Sequence, residues 1–136
     1  MRLTEADTWN LVECPAVQRF GEMQVRALYA SGSGFTATGP SFGLSPQLPR
    51  FLRNAGYERV QHASFAIDIS AGMPSHEGFA QNIEIAATML LPFLLKSGAT
   101  TQEEFEEVYR QMELEMRSSE FCGLWFFLSA WGYKPA

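Results

Sequence analysis

Apolar positions follow three different rhythms along this chain of 136 residues. Behind Pro15, the residues Val17, Phe20, Gln24, Ala27 and Leu28 recur at three- and four-residue spacing. This predicts a helix to about Ala30, with proline in the first turn, where its missing N–H costs nothing. Residues 31–45 are rich in Gly, Ser, Thr and Pro and read as loop. Ser45 and Pro46 then have N-cap and first-turn character, Leu48, Phe51, Leu52 and Ala55 form an apolar face, and Gly56 stands where a left-handed residue ends a helix. Over residues 57–70 the rhythm changes to two: Phe65, Ile67 and Ile69 alternate with Ala66, Asp68 and Ser70, the signature of a half-buried strand. After the break at Gly72-Met73-Pro74, a long helix is expected over residues 76–96, kinked or divided by Pro92.

A further helix opens with capping-box spacing at Thr101 and Glu104, or at Thr100 and Glu103 in the neighbouring register. It carries Phe105, Val108, Tyr109, Met112 and Met116 on one face. Residues 123–132 are apolar almost without interruption, which suggests a strand buried on both faces and therefore central. Residues 1–4 read like the end of a strand. The chain shows no internal repeat, and residues 1–136 read as one domain.

Composition narrows the function classes. The hydrophobic fraction of 46% and charged fraction of 18% are those of a globular chain. The net charge of −5, without a Lys/Arg cluster, argues against nucleic-acid or anionic-membrane partners. Cys14 and Cys122 have no metal-ligand spacing and suggest no disulfide framework. The most membrane-like segment, residues 83–95, contains Glu84 and is short for a bilayer span, so a cytoplasmic location is the expectation.

Three segments carry a family likeness. Leu48-Pro49-Arg50-Phe51-Leu52-Arg53-Asn54-Ala55-Gly56-Tyr57 matches the leucine, leucine-arginine, Ala-Gly-aromatic pattern that opens the sixth strand of many class I S-adenosylmethionine-dependent methyltransferases. Ala130-Trp131-Gly132-Tyr133-Lys134-Pro135 looks like the close of their seventh strand. Arg2-Leu3-Thr4-Glu5-Ala6-Asp7 is similar to the segment just after their fifth strand. The chain thus resembles the carboxy-terminal half of a small-molecule methyltransferase of that class, without the amino-terminal half that holds the cofactor. No Gly-x-Gly turn comes after a strand; Gly32-Ser33-Gly34 comes after a helix and reads as loop.

The resemblance implies an α/β fold, locally α+β: a partial Rossmann-like arrangement with a three-stranded mixed sheet in the order first, last, middle. Residues 1–4 and 57–70 would form its edges. It implies the acceptor-binding half of a methyltransferase that is not active alone, with S-adenosylmethionine bound only if the missing half is supplied, and no metal. An exposed first-strand edge invites either a complementing cofactor-binding chain or a homodimer. The second reading is a non-catalytic binding or dimerisation module derived from such an enzyme.

Position along the chain marks the site candidates. Glu5, Asp7 and Trp9 come just after the first strand, where the family brings acceptor-side residues, and a carboxylate there can orient or deprotonate an acceptor. His76 opens the segment that the family uses to shape the acceptor pocket and is a general-base candidate; Asn82, on the same helix, is an amide that can fix an acceptor. Met73 and Phe79 are candidate walls of an apolar acceptor pocket. Against each stands a plainer reading: solvated loop carboxylates, a helix-start histidine, and core packing for the aromatics.

Overall fold

The computed structural model describes residues 1–7, 11–36 and 41–135. In chain order the elements are β1 (Arg2–Glu5), β2 (Leu11–Val12), α1 (Pro15–Ala30), a single 3₁₀ turn (Ser45–Gln47), α2 (Leu48–Asn54), β3 (Glu58–Asp68), α3 (His76–Lys96), α4 (Gln102–Met116) and β4 (Gly123–Tyr133). β4 is the hub of the sheet. One of its sides carries β1, with Leu3 opposite Ala130, and farther along the two-residue β2, with Val12 opposite Gly123. Its other side carries β3, with Phe65 opposite Phe127 and Ile67 opposite Trp125.

The order of the three longer strands is therefore first, last, middle. The expected mixed sheet is corrected: every ladder is antiparallel. β1 and β3 run in the same direction, but β4 lies between them, so they never pair with each other.

Local chemistry sets the element ends. At the close of α2, the Gly56 N–H donates to the Arg53 carbonyl and the Tyr57 N–H to the Leu52 carbonyl, both at 3.0 Å. Gly56 has φ of +81°, so this is the left-handed helix stop that its glycine allows. The start of α2 differs from expectation. Ser45 opens the 3₁₀ turn instead of capping the helix, the N-cap falls on Gln47, and Pro49 occupies the first turn. A proline pair three residues apart, Pro46 and Pro49, explains the delay, since each favours a first-turn position. α3 is not divided at Pro92: helix runs on both sides of it. α4 starts as its capping pattern foretells, the Glu104 N–H donating to the Thr101 hydroxyl at 3.2 Å. The Glu104 carboxylate accepts from the Thr100 hydroxyl at 2.9 Å.

Two apolar clusters hold the helices to the sheet. The larger is built from α1, α3 and α4 around Phe20, Met23, Phe79, Leu94, Met112 and Met116, and reaches one face of the sheet at Ile67, Ile69 and Trp125. The smaller packs Leu48 and Leu52 of α2 on the opposite face, against Leu3, Leu128 and Ala130. Each layer covers only one end of its face. The expectation that β4 is buried on both sides is therefore corrected: Leu124 and Phe126 stay 38% and 41% exposed, and on the other face Phe65, opposite Phe127, is 47% exposed. Beside β4 the neighbouring strand segments come close: a Cβ on Gly123 would lie 2.7 Å from Val12 Cγ1, and one on Gly132 would lie 2.9 Å from Tyr57 Cβ.

α3 also corrects the membrane expectation. With 21 residues and a mean hydropathy of 1.3 over its most apolar stretch, it has the length and composition of a bilayer-crossing helix. Phe79, Ala87 and Leu94 spend part of that apolarity on the core, while Ile85 and Met89 are 60% and 74% exposed.

Candidate functional site

A cleft opens between α1 and α3 on the Trp125 face of the sheet, at the end of β1. Its α1 wall is Val17, Phe20, Gly21 and Gln24, an i, i+3, i+4, i+7 stripe. Its α3 wall is Asn82, Ile83, Ala86 and Leu90, which share one side of that helix at i, i+1, i+4 and i+8. Ala6 and Asp7, just past β1, complete the lining with the Trp125 indole of β4, and the volume is about 190 Å³.

The α1 wall is fixed by a contact from outside its own helix. The N-cap residue Cys14 offers no side-chain cap. Instead, Glu115 Oε2 of α4 accepts from the Ala16 N–H at 2.9 Å and from the Cys14 thiol at 3.0 Å. A carboxylate at a helix start is favoured by the dipole as well as by the free N–H groups. Partial burial opposes the Glu115 charge, but the hydrogen bonds from Cys14, Ala16 and Gln111 outweigh it and hold the carboxyl below its usual range. Burial, reinforced by the Glu115 hydrogen bond, pushes the Cys14 thiol up to about 12. Cys14 is therefore a neutral donor and an inert thiol.

Three polar side chains line this apolar cleft. Among the described residues, Asp7 Oδ1 is buried and has no hydrogen-bond partner. Among the described residues, neither the Gln24 nor the Asn82 side chain makes a hydrogen bond within the protein. A carboxylate oxygen accepts hydrogen bonds, and each amide both donates and accepts. Among the described residues, the lining contains one carboxylate and no cationic side chain.

The sequence-derived candidates divide around this cleft. Asp7 and Asn82 meet in it. Phe79, one turn before Asn82, lies 2% exposed behind the cleft, its ring edge-on to Trp125 at 5.4 Å and tilted against Phe121 at 6.1 Å; it supports the floor from the core side. Glu5 pairs with Leu128, whose face of the sheet is the one α2 covers, so Glu5 shares the face away from the cleft. Met73 is exposed in the turn after β3. Trp9 lies outside the described residues.

His76 lines a separate groove with Glu77, Ala80, Gln81, Glu84, Met116 and Arg117. Its Nδ1 is 2.9 Å from the Ile69 carbonyl and its ring tilts against Phe121 at 5.2 Å, so it ties the start of α3 to the end of β3. Asp68, the other carboxylate near the strand's end, is exposed. The Ser70 hydroxyl and N–H hold it below the usual carboxylate range.

Sequence reasoning misses two of the lining residues. Gln24 is the one polar member of the α1 apolar stripe, and a polar residue on a buried stripe is the signal that could have marked it. Trp125 reads as strand core, and nothing local distinguishes an indole that floors a cleft from one that fills a core. Among the described residues no group of three His, Cys, Asp or Glu could hold a metal ion. No protein-family model matches the chain, and no curated protein matches it.

Proposed function

We propose that the chain is the acceptor-binding half of an S-adenosylmethionine-dependent methyltransferase, working in the cytoplasm with a cofactor-binding part that is not among these 136 residues. The observation that carries this reading is the strand order. Sequence likeness expects the first strand at one edge, the last antiparallel in the centre and the middle one at the other edge, and β1-β4-β3 has that order. Asp7 in the cleft at the end of β1 adds to it, because the family likeness brings acceptor-side residues just after that strand.

The described residues do not fit the cofactor by themselves. β1 leads into Ala6-Asp7 and β3 into Ile69-Ser70-Ala71-Gly72, and neither offers the glycine-rich turn and helix start that cradle such a group. The contribution of this chain is to bind an acceptor and hold it in line, the kind of positioning that makes alignment-limited transfers fast.

A second reading rests on surfaces that one copy leaves uncovered. Among the described residues β1 has no strand partner on its outer edge, and Phe65 and Phe126 are exposed on the sheet. Two copies pairing through β1 would form one continuous sheet, giving a non-catalytic dimerisation module.

Calorimetric titration of the chain with S-adenosylmethionine and S-adenosylhomocysteine, with its solution mass measured alongside, separates the readings. The acceptor-half reading expects no saturable binding by a monomer. Saturable binding would mean that a cofactor seat forms without a glycine-rich half, and a stable dimer without binding would favour the module.

A further inference from the structure

We infer that the cleft between α1 and α3 binds a small primary amine as its ammonium ion, with Asp7 accepting the ammonium hydrogen bond and the amine's apolar body lying over Trp125. The inference names the class of acceptor for the cleft proposed above and rests on that reading of it; the ammonium is the bound form, and its nitrogen accepts a methyl group only after one proton has passed to the Asp7 carboxylate or to solvent.

Four observations select this class. Among the described residues Asp7 Oδ1 is buried without a partner, and a buried acceptor left unmatched is costly unless a donor arrives. Among the described residues the lining holds one negative charge and no positive one, which disfavours carboxylates and phosphates and favours a cation. Trp125 lines the cleft, and an indole is the side chain best suited to hold a cationic or aromatic group. Gln24 and Asn82 supply donors and acceptors on opposite walls, enough to fix a second polar group or a water beside the first.

Size limits the ligand. The cleft, at about 190 Å³, is smaller than the ~300–1,000 Å³ of sites that enclose drug-sized molecules. It therefore suits a single ring or a short chain, such as an arylalkylamine. Phe20, Ile83 and Leu90 provide the apolar walls against which such a body packs.

The test is a two-dimensional NMR titration of the whole chain with benzylamine, following the indole N–H resonance of Trp125. Benzyl alcohol and benzoate, which keep the ring and make the polar group neutral or anionic, are titrated in parallel. Benzylamine is expected to give saturable shifts at Trp125 in the millimolar range, benzyl alcohol weaker ones and benzoate none. D7N, which keeps the shape and removes the charge, should weaken benzylamine binding by roughly tenfold or more, the worth of one hydrogen bond to a charged group. N82A should weaken it less and leave the preference for the cation intact.

The inference is overturned if benzylamine shows no saturation, if benzyl alcohol binds as well as benzylamine, or if D7N leaves benzylamine binding unchanged. Because D7N alters the segment that leaves β1, its thermal melt is recorded beside the titration to show that the fold is retained. Failure here leaves the strand-order argument untouched. Failure of the methyltransferase reading appears instead in cofactor binding, where amines play no part.

Discussion

Removing the Glu115 carboxylate tests how the α1 wall of the cleft is held. In E115A the Ala16 N–H loses its acceptor at 2.9 Å and the Cys14 thiol its acceptor at 3.0 Å. Ala16 and Cys14 are both buried, so water replaces the carboxylate poorly. Loss of a helix N-cap costs about 0.5–2 kcal/mol. Hydrogen bonds to a charged group reach higher values, but Glu115 is itself only partly buried, and solvent screens its charge.

Together these give an expected loss of about 1–2 kcal/mol, or roughly 3–8 °C in Tm for a domain of this size. The pH dependence has a fixed sign. The folded carboxyl is held below its ordinary value of 4.5, so its stabilisation is fully present above that pH and is lost as pH falls through the folded value. Urea unfolding of wild type and E115A at neutral pH and at steps down toward about pH 3 measures this. The gap between them is expected to be constant near neutrality and to narrow in acid. E115Q should lose less than E115A, because its amide oxygen still accepts from Ala16. A gap below about 0.3 kcal/mol, or one that persists unchanged at the lowest pH at which both proteins fold, would refute the capping argument.

Packing and exposure set three further outcomes. W125A should cost about 2–4 kcal/mol, less than a fully enclosed indole, because Trp125 is only half-buried between Phe79 at 5.4 Å and Phe127 at 4.9 Å; an unchanged urea midpoint would show that it is not part of the core contact. In the native protein a thiol reagent should modify exposed Cys122 and spare Cys14, which becomes reactive only on unfolding; equal labelling of both by mass spectrometry would contradict the buried, neutral Cys14. If two copies pair through β1, R2E combined with L3E should lower the solution mass from dimer to monomer, and an unchanged mass would exclude that contact.

Elements are legible where spacing and punctuation agree. The α1 stripe behind Pro15, the α4 cap at Thr101 and the glycine stop at Gly56 each rest on residues within a few positions of one another, and each appears where the pattern puts it. The alternation of Phe65, Ile67 and Ile69 marks a strand, but it cannot reveal that only the Ile69 end meets the helices. Coverage depends on how far α1, α3 and α4 extend over the sheet, and no local pattern encodes that. β2 escapes notice because two residues are too few to show a period.

The site is half legible. Asp7 and Asn82 stand out by their positions relative to strand and helix, and they line one cleft. His76 stands out on the same grounds and belongs to another groove. On α3, the step of six residues from His76 to Asn82 turns the two to different sides of the helix. The capping of α1 by Glu115 joins residues 101 positions apart and has no sequence signal at all.

The central claim, that this sheet is the acceptor-side end of a larger methyltransferase sheet, is tested most directly by completing it. The glycine-rich half of a class I methyltransferase is fused ahead of β1, and S-adenosylhomocysteine binding is measured by calorimetry together with amide hydrogen exchange of β1. The account predicts tighter binding by the fused protein than by the donor half alone, and new protection of the outward β1 amides as the edge gains a partner strand. A fused protein in which both parts melt cooperatively, yet whose binding matches the donor half and whose β1 amides exchange as in the free chain, would contradict it.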